Sequence, residues 1–325
     1  PTQDLLTSDY YFLNTSSFPK NEVDDLLSQL QPESMRRTLL TPTVKTEHVT
    51  KWYQASYSKK KLTPKQLKRF ATPTVQSDFA LPMPNAYLPQ KLALGEQTPS
   101  ILTKPQKLEM DGVSLWFHQN TAYNVPRINV VVNVELKKPF GTPKNALLTE
   151  LYVQLLENKL QDKLYAVSLA GGEVSFSAHP RGISLQLSSY SDKQQYVLSE
   201  FLQTMSKMSV TESEFKKLMH QYALSLQSYQ QQTLYQQALA DLNTMLFVPN
   251  WHPEELLLAS KQISFKDFQQ FSKAFWQSEK LEMLVHGNVD KKAAIELVET
   301  IKPYFPHRKQ TSSQATPVKV VKLDN

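Results

Sequence analysis

The sequence predicts an α+β fold, an antiparallel sheet with helices packed on one face, and three features carry that prediction. Two hairpin signals occur in succession, at Asp111-Gly112 and at His179-Pro180-Arg181-Gly182. Between them Ile128, Val130, Val132, Val134 and Leu136 alternate strictly, the mark of a strand with one buried face. Long stretches with apolar residues three and four apart follow. Consecutive hairpins imply antiparallel pairing, so the helices add to a face instead of alternating with parallel strands.

Along the chain, the first 94 residues contain no glycine. Asn21 is placed to cap a short helix in which Val23, Leu26, Leu27 and Leu30 recur, with Pro32 ending it. Met35 to Leu40 reads as a strand. Thr63-Pro64 forms an N-cap and first-turn pair opening a helix through Leu67 and Phe70. Six prolines between Pro73 and Pro105 exclude a helix or a central strand, so residues 71–106 read as an extended linker.

A compact domain follows over 107–310. Leu108 and Met110 pair across Asp111-Gly112 with Val113, Leu115 and Phe117. Thr142-Pro143 opens a long helix bearing Leu148, Leu151, Leu155 and Leu156, which stops at Gly171-Gly172. Val174, Phe176 and Ala178 pair with Ile183, Leu185 and Leu187. A helical stretch covers about 192–276, with a capping box at Thr211 and Glu214. Strand Leu281 to His286, a Gly287-Asn288 turn and a helix over 290–304 close the domain. The order helix, strand, helix at 264–304 has a counterpart in helix 22–31, strand 35–40 and helix 63–70, so the chain reads as the tail of one repeat, a linker and a whole second repeat. Pro1 precedes a first methionine at Met35, and Val318 to Leu323 reads as a strand just starting; both ends read as cut from a longer polypeptide.

Composition removes several chemistries. With 7 glycines in 325 residues, against an ordinary share of about 7 %, no Walker loop or dinucleotide fingerprint fits. The absence of cysteine removes disulfide scaffolds, thiolate zinc sites and cysteine nucleophiles, and suits a cytoplasm or a bacterial periplasm equally. No apolar run reaches the roughly 20 residues of a membrane span, so no membrane partner is expected. The formal charge of +6 is modest, and no nucleic-acid signature accompanies it.

Three local clusters invite chemistry. His252-Pro253-Glu254-Glu255-Leu256 approaches the inverted zinc motif His-x-x-Glu-His, but Leu256 replaces the second imidazole and Pro253 marks a helix start. Ser188 to Ser191 lacks a nucleophile elbow and leads into Asp192-Lys193 as a strand-to-helix cap. Lys59, Lys60 and Lys61, with Trp52, Tyr53 and Tyr57 before them, form the densest basic patch. It reads as a polyanion site or, preferred here, as a solvated face whose aromatics pack inward.

Five ordered segments give the chain a resemblance to a known family. Phe79-Ala80-Leu81-Pro82-Met83-Pro84-Asn85-Ala86-Tyr87-Leu88-Pro89 resembles F-x-L-P-x-x-N-x-[FY]-I-P, and Leu115-Trp116-Phe117-His118-Gln119 resembles L-W-[FY]-K-Q. Leu164 to Gly171 resembles Y-A-x-x-L-A-G, Tyr190-Ser191-Asp192-Lys193-Gln194 resembles Y-[SN]-D-K-Q, and Leu284-Val285-His286-Gly287-Asn288 resembles L-x-H-G-N. These are patterns of the insulysin/pitrilysin zinc metallopeptidases. The resemblance implies LuxS/mitochondrial processing peptidase-like domains, four to a polypeptide, in two bowl-shaped halves enclosing a peptide-sized chamber. It implies that 1–70 is the end of a second domain, 71–106 the inter-half linker with its hinge motif at Leu81, Pro82, Asn85 and Pro89, 107–310 a complete non-catalytic third domain and 311–325 the lead into a fourth. Zinc is expected in a first domain outside this chain, with no cofactor here. The helix matching the zinc-bearing one contains no histidine, so no catalytic or metal residue carries over. Expected partners are the other domains of the polypeptide and peptide substrates, without nucleic acid or membrane, in a periplasmic or cytoplasmic setting. A non-peptidase scaffold of the same fold and a polyanion-binding module remain as other readings.

Overall fold

The computed structural model describes residues 19–72, 83–95, 104–120, 122, 125–307 and 319–322. The chain divides into two compact units, Pro1–Pro82 and Met83–Asn325.

In the first unit, α1 (Lys20–Ser28) starts one residue before Asn21. Pro19 is its N-cap, and the Val23 N–H closes the first turn on the Pro19 carbonyl at 3.0 Å. Asn21 therefore lies inside the helix, and Leu30 falls beyond its end. Met35 to Leu40 is not a strand: among the described residues no strand offers them a ladder, and Leu40 is exposed. A short ribbon of β1 (His48–Val49) and β2 (Ser56–Tyr57) follows, then α2 (Pro64–Ala71), which begins with the foreseen Thr63 N-cap and Pro64, Gln66 completing a capping box. No described residue of this unit is buried.

The second unit contains β3 (Gln106–Met110), β4 (Val113–Gln119), β5 (Arg127–Glu135), α3 (Pro143–Leu169), β6 (Glu173–His179), β7 (Gly182–Tyr190), α4 (Gln194–Lys207), α5 (Glu212–Gln227), α6 (Leu234–Leu246), β8 (Phe247–Val248), α7 (Pro253–Ser260), α8 (Phe265–Trp276), β9 (Lys280–Gly287), α9 (Lys291–Ile301) and β10 (Lys319–Val320). Six strands form one sheet in the order β3-β4-β9-β5-β7-β6, while β8 and β10 pair separately. The α+β expectation stands, with one correction. β9 returns from the long helical stretch and inserts between β4 and β5, antiparallel to β5 but parallel to β4. A strand arriving by such a crossover is free of the hairpin constraint that makes neighbours antiparallel.

One sheet face is apolar. Val113, Leu115, Val130, Val132, Leu185, Met283 and Val285 lie on it and are buried against leucines of α3, Phe201 and Leu202 of α4, Phe268 and Phe275 of α8, and Val298 of α9. α3 ends as its glycines require. The Gly172 N–H reaches the Val167 carbonyl at 2.9 Å and the Gly171 N–H the Ser168 carbonyl at 3.0 Å, with Gly171 at φ +74°. A Cβ on Gly172 would stand 2.7 Å from the Val167 side chain. Among the described residues no helix is long and apolar enough to cross a membrane.

Candidate functional site

Two surfaces of the second unit carry its polar chemistry: a dock for the linker and the helix-free face of the sheet. The dock is assembled from the motif segments. Asn85 donates from Nδ2 to the Ala166 carbonyl near the end of α3 at 2.6 Å, while its Oδ1 accepts the Tyr87 N–H at 3.0 Å. That local turn directs Tyr87 inward. Its ring is 8 % exposed and lies 5.7 Å from that of Tyr196. Burial pushes the Tyr87 phenol up, opposed by Lys163, which is itself paired with Glu200 at 2.7 Å. Farther along, Asp192 Oδ2 accepts two backbone N–H groups, from Gln90 at 2.8 Å and Lys91 at 3.0 Å. Asn288 closes the dock: its Oδ1 accepts the Gly95 N–H at 3.1 Å and its Nδ2 donates to Ser191 Oγ at 3.1 Å.

Residues 83–95 are thus strapped onto α3, the start of α4 and the turn after β9. Of the foreseen hinge motif, Asn85 is an anchor and Pro89 sits half-buried in the strap, while Leu81 and Pro82 lie outside the described residues. Ser191 and Asp192 are not a helix cap. The N-cap of α4 is Lys193, which makes no side-chain capping bond, because the Asp192 carboxylate turns to the linker and Ser191 Oγ donates to the Asn288 carbonyl at 3.0 Å. Charge on an acceptor of two N–H groups outweighs what a helix start offers.

The helix-free face is mostly polar. Trp116 Nε1 donates to Glu282 Oε1 at 2.9 Å, and the Arg181 guanidinium lies 3.5 Å from Glu282 and 3.7 Å from Glu135. Lys280 holds the other Glu135 oxygen at 3.1 Å. Burial, then Arg181, pushes the His179 imidazole down. Asn129 and Gln186 project from the middle strands and are exposed. Toward the far end, His118 and His286 stack with ring centroids 5.0 Å apart. Spacing does not single out these two histidines, which lie 168 residues apart and meet through the β4–β9 register.

α3 carries no histidine, and its inward positions are the buried Leu147, Leu148, Leu151 and Leu155. Among the described residues no group of three histidines and carboxylates could hold a metal ion. His252 is the N-cap of α7: its ring accepts the Glu254 N–H at 3.3 Å, and its Nε2 faces Asp241 at 3.1 Å.

In the first unit the aromatics beside Lys59, Lys60 and Lys61 do not pack inward. Trp52 is 83 % and Tyr53 90 % exposed, and the Lys51 ammonium lies 5.2 Å from the Trp52 ring centre. The two-residue strands beneath them build no core that could receive these rings.

A family model described as the middle or third domain of peptidase_M16 matches residues 1–259. The chain is similar to the insulin-degrading enzyme of Bos taurus, with 24 % identity over 93 % of this chain and 30 % of the relative. It is similar to the A-factor-processing enzyme of Saccharomyces cerevisiae, with 25 % identity over 87 % of this chain and 28 % of the relative. A pitrilysin crystal structure shares the fold, with a TM-score of 0.68 at 16 % identity over 90 % of this chain and 31 % of that one. The chain thus spans about 30 % of the length of the relatives it matches. Both relatives named are eukaryotic and lend no support to a periplasmic setting.

Proposed function

The chain belongs to the peptidase M16 family, as a middle or third domain of an insulysin/pitrilysin-type metallopeptidase, and on that premise we propose that it is a non-catalytic part of a peptide-degrading chamber. The carrying observation is α3. Where the resemblance places a zinc-bearing helix, this one turns buried leucines inward and has no histidine. Zinc then belongs to another domain of the longer polypeptide, and this chain supplies wall and linker. The helix-free face, with Asn129 and Gln186 exposed among paired charges, offers peptide groups hydrogen-bonding partners without a strong net field. Exposed Leu234, Tyr235 and Met245 on α6 are apolar area suited to cover by other domains of the same polypeptide.

Elemental analysis and peptide cleavage test the reading. The 325-residue chain is expected to bind no stoichiometric zinc and to cleave no peptide. One zinc per chain with chelator-sensitive proteolysis overturns it. A scaffold without peptidase activity is separated from it by reading the upstream coding sequence for His-x-x-Glu-His. A second reading, a polyanion site at Lys59, Lys60 and Lys61, is favoured by the exposure of Trp52 and Tyr53 beside them.

A further inference from the structure

Apart from the dock and the sheet face, the second unit has a groove among its helices, between α5 and the turn into α8. Phe215, Met219 and Ala223 recur every fourth residue and so stand along one face of α5. Ile263 and Phe265 face them from the turn into α8, and together these side chains bound a space of about 430 Å³. Phe215 and Ile263 are its buried floor, with the Phe215 ring 5.7 Å from that of Phe265 and 5.4 Å from that of Phe268. Met219, Ala223 and Phe265 are half-buried, so apolar surface stays open to solvent.

The next row along α5 is polar. Glu212, Lys216 and His220, again four apart, are exposed on the rim, and with Ser213 and Lys217 they bound an adjoining space of about 570 Å³. The groove thus runs from an apolar end to a polar one, and the polar end is biased toward cations. Glu214 is turned to Thr211 and to Lys159 on α3, while Asp267 is engaged by Ser264 and by Lys144 on α3. Glu212 is the carboxylate that lines the groove, beside Lys216 and Lys217. The Lys216 ammonium reaches Glu212 at 2.8 Å, but both groups are largely exposed, and a pair of that kind is weak enough to open for another anion.

Size and charge together select an occupant. The apolar end falls at the small side of ligand sites, which span about 300–1,000 Å³. It has room for few side chains, where a stable protein interface engages about 20–30 residues a side. The lysines call for an anion next to the apolar group. Glu212 offers an acceptor for an N–H, which a peptide end carries and a fatty acid lacks. We propose that the groove between α5 and α8 binds the free carboxyl end of a peptide whose last side chain is apolar. That side chain lies between Phe215, Met219 and Phe265, and the terminal carboxylate lies on Lys216 and Lys217. The inference goes beyond the chamber reading and does not depend on it, since no residue of the groove belongs to the helix-free face or to the linker dock.

Nuclear magnetic resonance of the 325-residue chain, read at the Met219 and Ile263 methyl groups, tests the groove. An N-acetylated oligoglycine peptide ending in leucine with a free carboxylate should move both signals saturably. Its C-terminal amide should bind about tenfold more weakly, as loss of a charge-assisted contact implies, and so should the same peptide ending in aspartate. With Lys216→Ala and Lys217→Ala combined, the free acid should fall to the affinity of the amide. Ala223→Leu, which fills the groove, should abolish binding of both; should that variant fail to fold, the lysine variant decides. Signals unmoved by the free acid, an amide or aspartate-ending peptide that binds as well, or a preference for the acid that survives loss of both lysines overturns the proposal. Decanoate that binds as well as the peptide makes the groove a site for amphiphiles and overturns the peptide assignment.

Discussion

Replacing Asp192 by alanine separates the linker strap from the core it lies on. The Asp192 carboxylate accepts the Gln90 and Lys91 N–H groups at 2.8 and 3.0 Å and contributes nothing to the buried core. Hydrogen bonds to a charged acceptor contribute about 1.5–3 kcal/mol each when shielded, and an exposed carboxylate warrants a value near 1 kcal/mol for each bond. Losing both costs about 2 kcal/mol, which raises the local opening equilibrium of the strap roughly 30-fold. The Gln90 and Lys91 amides should therefore exchange with solvent about 30 times faster in Asp192→Ala. The strap opens ahead of the core, so that cost falls chiefly on local opening, and the melting temperature should move by no more than the roughly 4–8 °C that 2 kcal/mol gives in a unit of this size. Unchanged exchange at Gln90 and Lys91 refutes the strap. So does a fall in Tm well beyond about 8 °C, which would make Asp192 a support of the core.

Two further substitutions probe charge. Burial holds the Glu150 carboxyl on α3 above the usual carboxylate range, so the fold prefers it protonated. The stability tied to that preference is present at acid pH and lost as pH rises through the folded value. Glu150→Gln should raise the urea midpoint at pH 7 to 8, with the gain fading toward pH 4; an equal gain at both ends of the range removes the argument. For the basic patch, replacing Lys59, Lys60 and Lys61 by alanine should abolish salt-dependent retention on heparin. Retention that survives the change rules out a polyanion site there.

Most of the sheet was legible in the sequence because its information is local. Alternation announced β5, and turn chemistry at Asp111-Gly112 and Gly182 joined β3 to β4 and β6 to β7. The partner of β9 was not, since the alternation of Leu281, Met283 and Val285 specifies a buried face and leaves the neighbour open. Met35 to Leu40 has strand-like composition but no ladder to join among the described residues. Asp192 misled for a different reason. A carboxylate between a strand and a helix suits an N-cap and a tertiary acceptor equally, and only the arrival of residues 90 and 91 decides between them.

The five segments that carried the family resemblance can now be given physical jobs. Asn85 and Tyr87 are the strap. Ala166, Asp192 and Asn288 are its anchors, and His118 and His286 stack beside the last of them. Each anchor acts through a side-chain amide, a carboxylate or a helix-end carbonyl aimed at backbone of the linker, and such groups tolerate little change in length or charge. A chain needs this set wherever the linker must be held, whether or not the longer polypeptide binds zinc. The resemblance in this part of the sequence is therefore evidence for the junction between the strap and the sheet.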